Sequence, residues 1–347
     1  MTIQFLGATK TVTGSCFFIE NDGTKAVIDC GAFQGGPEIE KMNYDPFPFD
    51  PAEIKYVFLT HAHFDHCGRL PVLVKQGFRG RIISTQPTRD LARIILLDSA
   101  NLQKEEAERW AAKAKKGEKD ELPPKPLFTE QDVEETMKYF EVYPYGTSVN
   151  LQDNLEFRMR DAGHILGSSI FEFWLKTDAG RLRKLVFSGD LGQPGARIVK
   201  DPDLIRDADY VICESTYGNR LHKDRQETVL ELLAALQAAQ KDNGNVLIPS
   251  FAIERTQELL YEINLFIENR LLTNLPVYLD SPMASKATEI FRRSLNTQRI
   301  SSGFSAYGAI VISPLTFKLG KRASFRKNDS NSSGCIPAFV PSPEIFT

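Results

Sequence analysis

His61-Ala62-His63-Phe64-Asp65-His66 gathers three of the chain's five histidines and a carboxylate into one short stretch. Imidazole nitrogens and carboxylate oxygens suit zinc or a similar divalent ion, which takes about four or five ligands, usually gathered from several loops. In extended chain His61 and His63 project to the same side, whereas Asp65 and His66 fall where the chain turns and is re-aimed. The spacing therefore predicts two adjoining metal positions at one strand end. A solvated histidine-rich turn is the competing reading, and the density of ligand-type side chains on a strand-to-helix loop argues against it.

The flanking segments explain how such a loop would be held. Tyr56-Val57-Phe58-Leu59 is aromatic and β-branched and reads as a buried strand, while Arg69 to Val74 reads as a short packed helix. Before them, Ile3–Gly7, Ser15–Glu20 and Lys25–Gly31 read as three strands of a β-meander, the last two joined by the turn Asn21-Asp22-Gly23. After them come a strand over Arg81–Thr85 and a helical run from Thr88 to Trp110. The charged stretch Lys113–Lys119, with the proline-rich Leu122–Pro126, has too little apolar content for a core and is expected to be an exposed excursion. Thr129, followed by Glu130 and Asp132, is a helix start.

Two later loops have the same construction. Leu155–Asp161 alternates as a strand and delivers Ala162-Gly163-His164, and Leu185–Ser188 delivers Gly189-Asp190-Leu191-Gly192. Each offers one ligand-type side chain beside glycines that permit close backbone approach. Taken alone, either reads more simply as a turn. From Asp209 strand and helix alternate: Tyr210–Cys213 ends on Glu214, Asn245–Ala252 runs into a helix over Arg255–Ile267, and Pro276–Asp280 runs into a helix capped by Ser281 with Pro282 at its first position. This pattern predicts a small parallel α/β unit.

The 347 residues suggest about two domains, and 42% hydrophobic with 25% charged residues is ordinary for a globular protein with a sizeable core. A net charge of −3 gives no global pull towards polyanions, so any such partner needs a local basic groove. Five scattered cysteines without a Cys-x-x-Cys pair argue against a disulfide framework or a zinc knuckle and fit a reducing cytoplasm. Cys67 is read as a packing residue. No secretory leader or membrane span is expected.

The His61–His66 stretch resembles the His-x-His-x-Asp-His signature of the metallo-β-lactamase superfamily, and the His164 and Asp190 loops follow in that superfamily's order. Glu214-Ser-Thr-Tyr-Gly-Asn-Arg220, Ile248-Pro-Ser-Phe-Ala-Ile-Glu-Arg255 and Leu279-Asp-Ser-Pro-Met-Ala284 resemble phrases of its β-CASP branch, the nucleic-acid-processing nucleases that include the messenger-RNA 3′-end-cleaving endonuclease. The resemblance implies an α/β fold, a metallo-β-lactamase αββα sandwich over residues 1–208 followed by a partial β-CASP domain over 209–297. It implies two Zn2+ or similar ions, one held by His61, His63 and His164, the other by Asp65 and His66, with Asp190 bridging. Asp65 and Asp190 would orient a hydroxide, Glu214 would hold a metal-binding histidine, and Asp29 would support the site from behind. Ser250, Arg255 and Ser281 are the expected phosphate contacts.

The resulting expectation is a two-metal nuclease acting on RNA or single-stranded DNA, with a homodimer left open. A glyoxalase-II-like ester or thioester hydrolase and an inactive RNA-binding or scaffold protein are the alternatives. Residues 298–347 offer little periodic apolar pattern, and the family's later histidines have no counterpart after His222. The expectation for this tail is a truncated or frameshifted, poorly ordered ending that leaves a weak catalyst.

Overall fold

The computed structural model describes residues 1–115, 125–151, 155–176, 180–221, 223–273 and 275–294. It divides into two compact units, Met1–Thr216 and Tyr217–Thr347. The tail from Gln298, most of the charged excursion after Lys115, and His222 lie outside the described residues.

In chain order the first unit runs β1 (Thr2–Phe5), β2 (Phe17–Asn21), β3 (Thr24–Ile28), α1 (Pro37–Lys41), β4 (Tyr56–Phe58), α2 (Phe64–Cys67), α3 (Leu70–Lys75) and β5 (Arg81–Ser84). It continues with α4 (Gln86–Lys115), α5 (Glu130–Met137), β6 (Phe140–Val142), β7 (Ser148–Leu151), β8 (Leu155–Asp161), β9 (Ser169–Lys176), β10 (Leu182–Phe187) and β11 (Tyr210–Ile212). One sheet has the order β1-β2-β3-β4-β5-β6 and the other β11-β10-β9-β8-β7. The expected meander is present as β1–β3, antiparallel throughout, after which β3 to β6 pair in parallel. In the second sheet β7 to β10 are antiparallel and β11 joins β10 in parallel.

Alternation decides which faces meet. Ile19, Ile28, Phe58 and Ile83 of the first sheet share one core with Phe157, Phe171, Phe173, Leu185 and Phe187 of the second. Phe58 is fully buried at the centre, its ring edge-on to Phe157, Phe171 and Phe173 at centroid distances of 5.3, 5.4 and 4.7 Å. Such pairs add about 0.5–1.5 kcal/mol each beyond the area they bury. Strand β4 therefore anchors its C-terminal loop on the aromatic cluster of the core that the two sheets share. The parallel strands also bring their following loops to one edge: Asp29 after β3, Thr60 after β4 and Thr85 after β5, the place where open α/β sheets bind ligands.

Helix α5 starts as its sequence indicates. The Thr129 hydroxyl accepts the Asp132 N–H and Asp132 reaches back to the Thr129 N–H, a complete capping box. On the outer face of the second sheet Ala162, Ile170 and Val186 lie under Leu191, Ile205 and Ala208 of an irregular segment.

The second unit contains α6 (Arg225–Lys241), α7 (Arg255–Glu268) and α8 (Pro282–Arg293). Leu236, Ile263, Phe266 and Leu272 form its core, with Ile248, Leu275 and Val277 packed against them. Here the structure departs from the alternation read in the sequence. Tyr210–Ile212 pairs with β10, so this strand completes a sheet of the first unit instead of opening the second. Among the described residues, 245–250 and 276–280 form no strands, although Ile248 and Val277 turn inward. Ile248 and Val277 are partly buried against this core while Val246, Leu247 and Tyr278 stay exposed, and a hydrophobic pattern alone does not supply the hydrogen-bonded partner that a strand needs. Ser281 does cap α8, accepting the Ala284 N–H at 3.1 Å, with Pro282 at the first helical position.

Candidate metal centre

Three loops deliver the ligand-type side chains. The chain leaves β4 at Thr60 and turns into α2, which places His61, His63, Asp65 and His66 within one bend; the β8–β9 loop brings His164, and the segment after β10 brings Asp190. His61, His63, His164 and Asp190 each offer a ligand atom within 4.8 Å of the others. His61 Nε2 is 3.0 Å from His63 Nδ1, which is 3.2 Å from His164 Nε2. Asp190 Oδ2 lies 3.8 Å from His61 Nε2 and 3.7 Å from His164 Nε2. Ligands about 2.0–2.1 Å from a tetrahedral ion sit about 3.3 Å apart, so this donor set fits a zinc-sized cation.

His66 and Asp65 lie beside that group. His66 Nε2 is 3.8 Å from Asp65 Oδ2 and 3.4 Å from Asp190 Oδ1. The two oxygens of Asp190 thus face different groups, one towards His61 and His164, the other towards His66. The geometry brings together all six residues named as metal ligands from the sequence.

Burial sets the protonation preferences. It lowers His61 well below the ordinary imidazole range, assisted by the neighbouring His66, His63 and His164, and lowers His63 to about 3. His164 is lowered mainly by burial as well. All three rings are therefore neutral, the form that ligates. At His66 burial acts in the same direction, but Asp29 and Asp190 outweigh it and raise the affinity for a proton. For Asp190 burial is outweighed by His66 and the other histidines, which hold the carboxyl at about 2, whereas burial raises Asp65. The result is three imidazoles, those of His61, His63 and His164, kept in the neutral ligating form next to the Asp190 carboxylate, a pocket that favours a cation.

A layer of hydrogen bonds fixes this arrangement. Asp29, 1% exposed, accepts from His66 Nδ1 at 2.7 Å, from the Thr60 N–H at 2.8 Å and from the Ser15 hydroxyl at 3.1 Å. A carboxylate on Nδ1 leaves Nε2 as the nitrogen of His66 that is available to ligate. The His164 loop is pinned through its backbone: Thr85 and Thr88 lie 2.8 and 2.7 Å from the Gly167 carbonyl, Tyr145 donates to the Ser168 carbonyl at 2.7 Å, and the Ser168 hydroxyl accepts the His164 N–H at 3.1 Å. Glu214 accepts from the Leu191 N–H at 3.1 Å and from the Thr216 N–H at 3.2 Å. It thus holds the chain next to Asp190, and its charge acts on His164 across space.

Ser15, Ser168, Thr85, Thr88 and Tyr145 received no role from the sequence. Thr85-Gln-Pro-Thr88 reads as an ordinary helix cap, and nothing local signals that its hydroxyls serve a loop about eighty residues away. Cys67 is fully buried with its thiol on the Ala62 carbonyl. In the second unit the Ser250 hydroxyl shares a hydrogen bond with Thr256 at 2.8 Å, and Arg255 pairs with Glu258 at 3.1 Å.

Paired sheets, a histidine-rich loop after a parallel strand and ligand loops converging at one edge define the metallo-β-lactamase superfamily, whose family model matches residues 9–148. The model of the Beta-Casp domain matches residues 256–333, which extends past residue 297 into the tail. The chain belongs to the β-CASP branch of that superfamily. It is 38% identical over 293 residues to a ribonuclease of Thermus thermophilus, covering 84% of this chain and 61% of that protein. It is 30% identical to the transcription termination factor FttA of Methanocaldococcus jannaschii, covering 83% and 43% of the two chains. It is 29% identical to the cleavage and polyadenylation specificity factor 73 of Drosophila melanogaster, covering 85% and 40%. The chain thus spans between two fifths and about three fifths of the length of these relatives. Among the described residues no helix is long and apolar enough to cross a membrane.

Proposed function

We propose that this chain is a two-metal hydrolase that cleaves phosphodiester bonds of RNA, with His61, His63 and His164 holding one zinc-like ion, Asp65 and His66 the other, and Asp190 between them. The observation that carries this reading is the division of the Asp190 carboxylate, with Oδ1 towards His66 and Oδ2 towards His61 and His164. Divalent ions bound there would supply Lewis-acid stabilisation of a phosphoryl oxygen and acidify a water.

The chain's own residues do the remaining work. His61, His63 and His164 stay neutral and present lone pairs. Asp29 holds His66 in the orientation that directs Nε2 to the site. Asp190, 33% exposed, orients an attacking water at the open side, with Asp65 beside it. Glu214 fixes the Leu191 amide and thereby the Asp190 loop. Arg255, 54% exposed despite its pair with Glu258, is the proposed phosphate contact of the second unit, with Ser250 and Ser281 as partners of the same kind. The names of the relatives, a ribonuclease and a cleavage factor among them, support RNA as substrate.

The test is cleavage of a labelled single-stranded RNA. Expected are close to two zinc-like ions per chain, activity lost with a chelator and restored by zinc, and loss of activity in a folded Asp190→Ala variant. A folded wild type that binds no metal under chelator-free conditions sinks the site assignment. Chelator-sensitive thioester hydrolysis without RNA cleavage would replace the nuclease reading with the glyoxalase-like one.

A further inference from the structure

Thr60 contributes no ligand atom, yet it touches both groups of candidate ligands. Its hydroxyl lies 3.0 and 2.9 Å from the two Asp29 oxygens, 3.1 Å from His61 Nδ1 and 3.4 Å from His66 Nδ1. Its N–H donates to Asp29 at 2.8 Å and its carbonyl accepts the Ser169 N–H at 2.8 Å, so the residue is held from three directions and is 1% exposed.

Donor counting then determines the His61 ring. An ionised carboxylate only accepts, so the single Thr60 hydroxyl proton is committed to Asp29. The same oxygen keeps a lone pair for His61 Nδ1, and that contact is a hydrogen bond only if Nδ1 carries the proton. Nε2 is left unprotonated, and Nε2 is the atom that faces His63 Nδ1 and Asp190. His66 makes the parallel arrangement directly, with Nδ1 on Asp29. We propose that Thr60 is a positioning residue that selects the ligating tautomer of His61 and ties the imidazoles of both metal positions to the single carboxylate of Asp29.

This proposal rests on the metal reading above and adds a distinction to it. Removing the hydroxyl leaves the His61 Nδ1–H without an acceptor where the ring is fully buried. The ring then gains by moving its proton to Nε2, where it competes with a cation. His66 retains Asp29. The loss should therefore fall on the position built from His61, His63 and His164. Thr60 also fills the space under the Asp190 loop, since a Cβ on Gly189 would lie 2.8 Å from Thr60 Cβ. The substitution that separates shape from hydroxyl is therefore Thr60→Val, with Thr60→Ser as the conservative counterpart.

The experiment uses the full chain stripped of metal and titrated with Co2+, with d–d absorption and chelator competition reporting each position and histidine 15N spectra reporting ring tautomers. Thr60→Val should weaken the first position roughly ten- to a hundredfold and leave the second within about threefold, whereas Thr60→Ser stays within about threefold at both. The His61 ring should be protonated on Nδ1 in the wild type and in Thr60→Ser, and on Nε2 in Thr60→Val. Unchanged affinity in Thr60→Val, or an equal loss in Thr60→Ser, overturns the proposal. If Thr60→Val does not fold, the wild-type spectrum decides alone, because a His61 ring protonated on Nε2 overturns the proposal and one protonated on Nδ1 upholds it. A wild type that binds no metal defeats the metal reading and this inference together; one that binds metal with the other tautomer defeats only the inference.

Discussion

Gly192 is where two ligand loops meet backbone to backbone, and Gly192→Ala should separate them. A Cβ at this position would lie 1.6 Å from the Gly163 carbonyl oxygen, 2.1 Å from its carbon and 2.8 Å from the His164 N–H nitrogen. All three are main-chain atoms, so no side chain can rotate away. Restoring ordinary contact requires the loops to part by about 1.5 Å, in an interior packed as densely as an organic crystal. Metal–ligand distances tolerate about 0.2 Å. The shift falls between His164 and Asp190, whose ligand atoms are 3.7 Å apart, and these could no longer share one ion. Gly192 also donates to the Ala162 carbonyl at 2.9 Å, a bond that the same movement stretches. Affinity at the His61, His63 and His164 position should fall on the order of a hundredfold, and overpacking should cost about 1–3 kcal/mol of folding stability. Equilibrium dialysis against zinc with metal analysis measures the first, and urea unfolding of metal-free protein measures the second. Gly244→Ala, whose Cβ would meet only the Ala239 carbonyl at 3.7 Å, serves as the control and should change neither. A Gly192→Ala protein with wild-type zinc affinity and a stability change below about 0.5 kcal/mol would refute the claim that this close approach assembles the site.

Acid should destabilise the metal-free protein before it reaches the ordinary carboxylate range. His61, His63 and His164 have depressed folded-state values, His63 at about 3, so their contribution is present above the ordinary 6.5 and is lost as pH falls towards the folded value. His66 is raised, so its contribution is already full below the ordinary 6.5 and does not change in this window, whereas the raised Asp65 and Asp161 gain as pH falls and offset part of the loss from the three imidazoles. Urea midpoints should still decline below about pH 6; a flat profile down to about pH 4 would contradict the burial argument. Asp161 is pushed up to about 6 by burial, with Asp203 adding to the effect, so its contribution is full below the ordinary 3.8 and lost as pH rises through 6. Asp161→Asn, which keeps an acceptor for the Gly163 N–H, should therefore stabilise the protein by about 1–2 kcal/mol near pH 8 and by nothing near pH 3.5, as read by urea unfolding at the two values. RNA binding measured by fluorescence anisotropy should weaken steeply with salt despite the net charge of −3, because only local cations can engage the backbone; affinity that does not change with salt would exclude such a groove.

The candidate metal-binding residues were legible because they lie close together in sequence or sit at the ends of strong strand patterns. Tyr56–Leu59 reads as a buried strand, so the loop after it had to emerge at a sheet end, and Thr129 with Asp132 states its own helix start. Strand β9, from Ser169 to Lys176, has no turn chemistry of its own and little alternation on its inner half, and β6 is only three residues long. Such elements are defined by the partners beside them. The same physics works in reverse at 245–250 and 276–280, where the pattern of a strand is present and, among the described residues, the ladder is not. Sequence by itself determined which side chains could bind a cation, because imidazole and carboxylate have that chemistry wherever they are placed. Only the tertiary structure decided which nitrogen of each ring faces the candidate site, how the Asp190 oxygens divide, and that Thr60, Thr85, Thr88 and Tyr145 make contacts to the loops that carry these side chains. Those choices depend on contacts of about 3 Å between segments distant in the chain, and such contacts exist only once the two sheets have closed on Phe58.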